Sequence, residues 1–350
     1  MTRKPTRPVV PPTHMVVGLD QGYGYTKAVT ATDSVTFPSV MGQARNINFR
    51  ADEITTKYPG MTLLDNGDRL FLGELALSQL RTNQLRRLRA RATSGENEVA
   101  GQFRQRLMYV ALGALGARAH VEEIVHVQIA TGLPVDHMLD ADDLKQNLLG
   151  THMIKTDQIG FVAHVTDVIV MPQPYGTIYS QFLTSTGAFN PHHMHDRTAV
   201  CDVGTYTIDL AVDDDGEYIA SESASLEAGI YMAQEYIAEI INEHHRERPA
   251  QRVVEEVLRT GHLNAFGARQ DMRHEVEQAL KPLREAVVNL TTERWGRGMN
   301  LDVIYLTGGG APLVVDTLHP IYKHARVLED PVMANARGYL NYALSRHQPR

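Results

Sequence analysis

The chain of 350 residues has a single cysteine, Cys201, which excludes an internal disulfide framework. It sits in an apolar run just before Asp202, where a small core side chain is its simplest role. No run of about 20 apolar residues occurs, and no secretory h-region is present. A cytoplasmic protein with no membrane partner is therefore expected. Excess positive charge is also missing, with 34 Lys and Arg against 41 Asp and Glu for a net charge of -7. That balance excludes a surface wholly devoted to nucleic acid, and no direct nucleic-acid readout is evident, although a local basic patch is compatible with it.

Against these absences, 43% of the residues are hydrophobic, enough to bury a sizeable core, and the length fits two domains of ordinary size. The stretch Met15–Thr30, MVVGLDQGYGYTKAVT, reads as an apolar strand ending at Asp20, a turn through Gly22 and Gly24, and a second strand from Tyr25. Glycines in such a turn let backbone N–H groups face a shared concavity of the kind that cradles phosphate oxygens. Thr26 and Lys27 add a hydroxyl and a cation, and Asp20 is placed to hold a hydrated metal ion against the anion. An ordinary Gly-rich hairpin has the same pattern. The unit recurs, however. Thr198–Asp213, TAVCDVGTYTIDLAVD, gives an apolar strand, Asp202, a turn at Gly204-Thr205, and a second strand through Thr207, Ile208 and Leu210. A phosphate chain with a divalent ion needs donors from two sides and carboxylates to orient the ion's waters. Two facing hairpins from a duplicated fold supply them.

Residues 1–14, with Pro5, Pro8, Pro11 and Pro12, read as a mobile tail. Ser34–Met41 holds a short strand, and Asp65-Asn66-Gly67-Asp68 a hairpin turn between strands at Met61–Leu64 and Arg69–Leu72. Glu74–Arg91 reads as a basic helix carrying Arg81, Arg86, Arg87, Arg89 and Arg91, either a solvated face or a contact for a protein or polyanion. Helices are expected at Gln102–Leu115 and Asp140–Leu149, and a central parallel strand at Ile124–Thr131 before Gly132-Leu133-Pro134. A strand at His164–Val170 leads into Pro172-Gln173-Pro174, with a helix from Ile178. His192, His193 and His195 lie in a loop that reads as the connection between halves or, on weaker grounds, a metal site. In the second half a strand at Glu217–Ser223 and a helix from Leu226 to Ile241 are expected, then a helix at Val253–Thr260 capped by Gly261. A long helix at Asp271–Arg294 follows, kinked at Pro282. Leu301–Leu306 is an apolar strand running into Gly308-Gly309-Gly310, a close-approach turn. A helix from Asp316, a strand at Ala325–Leu328 and a final helix at Pro331–Ser345 complete the chain.

Five stations stand in one order: Asp20-x-Gly-x-Gly with Lys27; Gly132-Leu133-Pro134 with Pro172-Gln173; Asp202-x-Gly-Thr; Thr307-Gly-Gly-Gly-Ala; and Ala334-Asn335-Ala336-Arg337-Gly338. Together they resemble the actin-like ATPase superfamily, and within it the ParM/StbA plasmid-segregation proteins and archaeal actin-like relatives. GLDQGYGYTK, VMPQPYG, DVGTYTIDL, LTGGGA and ANARGY are each similar to that group's motifs.

The resemblance implies an α/β fold of two ribonuclease H-like lobes with mixed sheets and a nucleotide cleft between them. The lobes are expected over 15–190, with an insert at about 40–100, and 191–350, whose last helix returns to the first lobe. It further implies ATP with Mg2+. Gly22, Tyr23, Gly24, Tyr25, Thr26 and Lys27 would form one phosphate loop, and Gly204, Thr205, Tyr206 and Thr207 the other. Asp20 and Asp202 would orient waters on the metal, and Gln173 the attacking water. Gly308, Gly309 and Gly310 would lie against adenosine, and Gly229 near the ribose. Slow hydrolysis and a head-to-tail filament of the chain with itself follow, in DNA segregation through a DNA-binding adaptor or in a cytoskeletal role. The alternatives are a non-polymerising ATP-binding scaffold and a small-molecule kinase on the same fold.

Overall fold

The computed structural model describes residues 13–49, 51–87, 97–191 and 197–346. The first hairpin opens a six-stranded mixed sheet. Strands β1 (Thr13–Gln21), β2 (Tyr25–Val29) and β3 (Ser34–Pro38) form an antiparallel meander. In β1 the side chains of Met15, Val17 and Leu19 enter one core while Val16 on the opposite face enters another, the period-2 alternation of a strand covered on both sides. The strand begins at Thr13, earlier than its apolar run, and residues 1–12 of the expected tail lie outside the described residues.

A small second sheet follows, ordered β5-β6-β4-β7. It comprises β4 (Val40–Gln43), β5 (Thr62–Asp65), β6 (Asp68–Leu72) and β7 (Arg86–Arg87), with helices α1 (Ala51–Lys57) and α2 (Gly73–Gln79) between them. The expected β5–β6 turn is there, with Asn66 and Gly67 left-handed at φ 49° and 87°, the pair a type I′ hairpin requires. The expected helix over Glu74–Arg91 is not. It stops at Gln79, Leu80 is extended, and Arg86 and Arg87 pair with Met41 and Val40 as an edge strand. Pairing with β4 overrides local helix propensity there, and residues 88–96 lie outside the described residues.

The first half closes with α3 (Asn97–Arg118), β8 (Ile124–Leu133), α4 (Ala141–Leu148), β9 (Gly150–Lys155), β10 (Gly160–Pro172) and α5 (Gln173–Phe182). Strand β8 is the central parallel strand, flanked by β1 and β10 in the order β3-β2-β1-β8-β10-β9. β10 is longer than expected because β9, unforeseen, pairs along its first half.

The second half repeats the plan. Its strands are β11 (Thr198–Val203), β12 (Ile208–Asp214), β13 (Glu217–Tyr218) and β14 (Ala224–Leu226), followed by α6 (Tyr231–His245) and α7 (Gln251–Thr260). Next come the hairpin β15 (His262–Ala265) and β16 (Ala268–Asp271), then α8 (Arg273–Trp295), β17 (Val303–Thr307), α9 (Ala311–Leu318), β18 (Ala325–Val327) and α10 (Ala334–Ser345). The order β13-β12-β11-β17-β18, antiparallel then parallel, matches the first sheet's meander plus two parallel strands. The duplication read from the two Asp-ended hairpins is therefore present as two lobes. Several boundaries here differ from expectation. Helix α5 starts at Gln173 rather than Ile178, and α9 at Ala311 rather than Asp316, because Pro174 and Pro312 occupy first-turn positions where no N–H is needed. The stretch Glu217–Ser223 is a two-residue strand and a 3-10 turn, and α6 begins only at Tyr231. Helix α8 continues through Pro282, Gly261 caps α7 in the left-handed region at φ 70°, and His192, His193 and His195 lie outside the described residues. Among the described residues no helix is long and apolar enough to cross a membrane.

Each of the two large sheets has its own core, and a third cluster joins them through α5 and α10. Helix α10 lies on β1 and β8, and α5 touches β11 and β12. The two helices meet backbone to backbone. A Cβ on Gly338 would stand 1.5 Å from the Gly176 carbonyl oxygen, and one on Gly18 1.9 Å from that of Ala336. Gly338→Ala should therefore lower unfolding free energy by about 2–3 kcal/mol through overpacking, read as a shift in urea midpoint. Gly160→Ala, where the nearest atom is 3.9 Å away, should change it by less than about 0.5 kcal/mol. Equal midpoints for the two variants would show that the helices separate without cost.

Candidate functional site

The ends of β1 and β11 bring the two Gly-containing loops into contact. A Cβ on Gly24 would lie 2.1 Å from Thr205 Oγ1, so glycine is required there by space rather than by backbone angle. Behind the first loop, Ser39 Oγ donates to the Gly22 carbonyl at 2.6 Å and stands 2.9 Å from Thr26 Oγ1. The Thr26 hydroxyl is thus fully buried in a support rather than offered to an anion. In the second loop, the Gly204 and Thr205 carbonyls accept from the N–H groups of Ile230 and Tyr231, fixing the start of α6. Tyr206 stacks on Tyr231 at 5.0 Å and meets Tyr23 edge-on at 6.1 Å, joining the loops from behind.

Carboxylates converge where the loops meet. Asp20 accepts from Lys27 Nζ at 2.8 Å and from Gln173 Nε2 at 3.2 Å. The sequence shows no carboxylate beside Gln173, yet the first turn of α5 places its amide against β1. Asp202 Oδ2 accepts from Asn335 Nδ2 at 2.6 Å, and Asn335 Oδ1 accepts in turn from Thr177 Oγ1 at 2.8 Å. Gly308, at φ 80°, passes so close that a Cβ would stand 2.4 Å from Asp202 Oδ1. Burial, reinforced by the charges of Asp209 and Asp20, raises the Asp202 pKa to about 7; the Asn335 hydrogen bond and Lys27 oppose that rise.

These groups line a cavity of about 560 Å³ between the lobes, within the range of small-molecule sites. Of the residues singled out from sequence, Asp20, Gly22, Tyr23, Gly24, Tyr25, Lys27, Gln173, Asp202, Gly204, Thr205, Thr207, Gly308 and Gly309 face it. Thr26, Tyr206, Gly229 and Gly310 are not in the lining. Thr26 and Tyr206 act from behind, a Cβ on Gly229 would lie 2.4 Å from the Thr205 carbonyl oxygen, and Gly310 N–H donates to the Val203 carbonyl at 2.9 Å. The second lobe adds an apolar slot of Ile230, Leu258, Pro312 and Leu313. At the mouth, Tyr25 OH donates to Glu255 Oε2 at 3.0 Å across the lobes, and burial with that carboxylate pushes the phenol pKa up. Sequence reasoning missed Arg104, Glu255 and Gln21 in the lining and gave Asn335 no role. Asn335 lay inside a recognised motif, whereas Arg104 and Glu255 sit in helices with no local signal.

Residues 18–176 match the family described as "Actin like proteins N terminal domain", and residues 200–320 the family described as "Archaeal actin homologue MreB-like, C-terminal". No curated protein sequence matches the chain. Among solved structures, a 15-stranded ParM filament from Clostridium botulinum is similar at a TM-score of 0.73 and 22% identity, over 94% of this chain and 99% of that one. Ta0583, an archaeal actin homolog in complex with ADP, is similar at 0.73 and 19%, again over 94% and 99%. Bacillus thuringiensis ParM with ATP is similar at 0.65 and 15%, over 94% and 97%.

The raised Asp202 pKa carries a stability consequence. The folded-state value lies above the ordinary 3.8, so the cost of the charge is absent below about pH 4 and complete above about pH 7. Asp202→Asn removes it. In nucleotide-free protein the variant should gain about 2–4 kcal/mol of unfolding free energy at pH 8, a gain that shrinks toward pH 4. Denaturation at both pH values checks this; equal stability of variant and parent at pH 8 would mean that the buried charge costs nothing.

Proposed function

Since the chain belongs to the actin-like proteins, we propose that it binds ATP with Mg2+ between its lobes, hydrolyses it slowly and assembles with copies of itself into nucleotide-dependent filaments. The observation that carries this reading is the meeting of two Asp-ended strands and their loops around one cavity, with Gln173 against Asp20. The ADP and ATP complexes of Ta0583 and Bacillus thuringiensis ParM and the filament of Clostridium botulinum ParM support it.

The residues divide the work. Backbone N–H groups of Gly22, Tyr23 and Gly24 on one side and of Thr205 and Thr207 on the other bind phosphate oxygens, and Lys27 adds charge. Thr26, Tyr206, Gly229 and Gly310 shape those loops without touching ligand. The apolar slot takes the nucleobase, with Gly308 and Gly309 beneath the nucleoside. Asp20 and Asp202 would hold a Mg2+ ion through its waters, and the ion would supply charge neutralisation for the terminal phosphates. Gln173 uses Nε2 on Asp20 and keeps Oε1 to accept from the attacking water; Asp202 is near to receive the proton released with phosphate. An amide orients water but does not deprotonate it, so turnover is slow. Intact ATP holds both loops and favours the closed subunit, and hydrolysis removes that tie. A closed subunit that binds head to tail forms an open-ended polymer, suited to DNA segregation through an adaptor or to a cytoskeletal role.

Light scattering and sedimentation with simultaneous phosphate release test this. Mg-ATP should trigger scattering that decays as phosphate appears. Binding or hydrolysis without assembly across protein and salt concentrations would favour a scaffold or a kinase, and absence of binding would remove the reading altogether. Gln173→Ala should slow hydrolysis by roughly 10- to 100-fold while leaving ATP affinity within about twofold; loss of binding instead would take Gln173 out of the hydrolytic role.

A further inference from the structure

The described cleft lining contains three strong cations, Lys27, Arg104 and Arg259. Two already have carboxylates: Lys27 Nζ is 2.8 Å from Asp20 Oδ2, and an Arg259 guanidinium nitrogen is 2.6 Å from Glu256 Oε2. Arg104, half-buried on α3, forms no ion pair with a described residue. It shares a hydrogen bond with Tyr23 and feels the Asp140 and Asp20 carboxylates only at longer range, while burial pushes its pKa down. Desolvating a cation without a counter-charge is costly, and an incoming anion removes that cost.

Its surroundings fix where the anion stands. Gln21 Nε2 donates to the Arg104 carbonyl at 2.7 Å, tying α3 to the residue after Asp20. Because a carbonyl only accepts, the orientation of the Gln21 amide is settled, and its Oε1, in a side chain 6% exposed, has no partner among the described residues. An unpaired guanidinium and an unused acceptor therefore lie next to Asp20 on the first-lobe wall. The apolar slot of Ile230, Leu258 and Leu313 belongs to the other lobe. A nucleotide with its base in that slot and its phosphates between the loops ends its phosphate chain against this wall.

We propose that Arg104 contacts the terminal phosphate of a nucleoside triphosphate, so that the cleft distinguishes tri- from diphosphate through this residue. The inference rests on the nucleotide reading above and deepens it. The planar fork of Arg matches two phosphate oxygens, Tyr23 holds it from the first loop, and Gln21 Oε1 accepts from a water solvating the same phosphate. A diphosphate, one phosphate shorter, leaves Arg104 without its partner.

Titration calorimetry on the full chain, with AMP-PNP and with ADP, each with Mg2+, tests this. Arg104→Gln should weaken AMP-PNP by roughly 10- to 100-fold, the range of a charge-assisted hydrogen bond, and leave ADP within about twofold. Arg104→Lys, which keeps the charge but not the fork, should give a smaller loss of the same selectivity. Equal weakening of both nucleotides, or an unchanged AMP-PNP to ADP ratio, overturns the assignment and leaves nucleotide binding standing. Binding of neither nucleotide by the parent chain overturns the nucleotide reading and this inference together. Should Arg104→Gln fail to fold, the Arg104→Lys ratio decides alone, and no change in it overturns the proposal.

Discussion

The arrangement depends on the backbone contact between α5 and α10. Helix α5 ends the first lobe yet packs on the second lobe's β11 and β12, and α10 ends the second lobe yet lies on β1 and β8. Their crossing is set by glycines that admit no methyl group, Gly176 against Asn335 and Gly338 against Gly176. The same crossing delivers the chemistry. Gln173 opens α5 and reaches Asp20, Asn335 stands in the first turn of α10 and reaches Asp202, and Thr177 ties Asn335 back to α5. A looser crossing would move both carboxylates relative to each other, and with them any anion held between the loops. Packing and site geometry here are one constraint.

That constraint keeps the carboxylates where they are costly. Asp20, Asp202 and Asp209 are all almost fully buried, and their like charges help to raise the Asp202 pKa. A fold selected for stability alone would place neutral or apolar groups there. Carboxylates held close together out of water create a demand for positive charge, and Lys27, paired with Asp20, only partly offsets the rise at Asp202. On the opposite account, Arg104 is a cation short of an anion. A single ligand that combines anionic oxygens with a divalent cation answers both demands at once.

Much of this was legible in the sequence, and the failures have a common cause. The two Asp-ended hairpins, the parallel strand ending at Gly132-Leu133-Pro134 and the triple glycine are local patterns whose backbone geometry is fixed by their own residues, and they predicted the duplicated sheets. Helices α5 and α9 start earlier than expected because Pro174 and Pro312 sit in the first turn, where a missing N–H is no loss to a helix. The basic helix expected over Glu74–Arg91 stops at Gln79 because pairing of Arg86 and Arg87 with the distant β4 decided the matter. Thr26 carries the right chemistry for an anion site, but Ser39 claims its hydroxyl. Strand alternation already hinted at this, since Thr26 and Lys27 must point to opposite faces of β2. Arg104 and Glu255 could not be found from sequence, because a helical periodicity tells which face is apolar and not which lobe that face meets.

How firmly the lobes close follows from the contacts that cross the cleft away from the two helices. Among the described residues they include Gly24 on Thr205, Tyr23 edge-on to Tyr206, the Tyr25–Glu255 hydrogen bond and a weak Val135 N–H to Asp209 contact at 3.4 Å. A net hydrogen bond contributes about 1 kcal/mol and an aromatic pair about 0.5–1.5 kcal/mol, so each of these contacts is individually weak. The α5–α10 crossing, by contrast, belongs to a continuous buried core and does not come apart at that cost. The lobes therefore have one strong joint and one weak seam. A ligand that binds both loops adds its differential affinity directly to the seam, and each 1.4 kcal/mol of it shifts the ratio of closed to open tenfold. On the nucleotide reading proposed above, losing one phosphate would be a change large enough to matter at the seam and too small to disturb the joint.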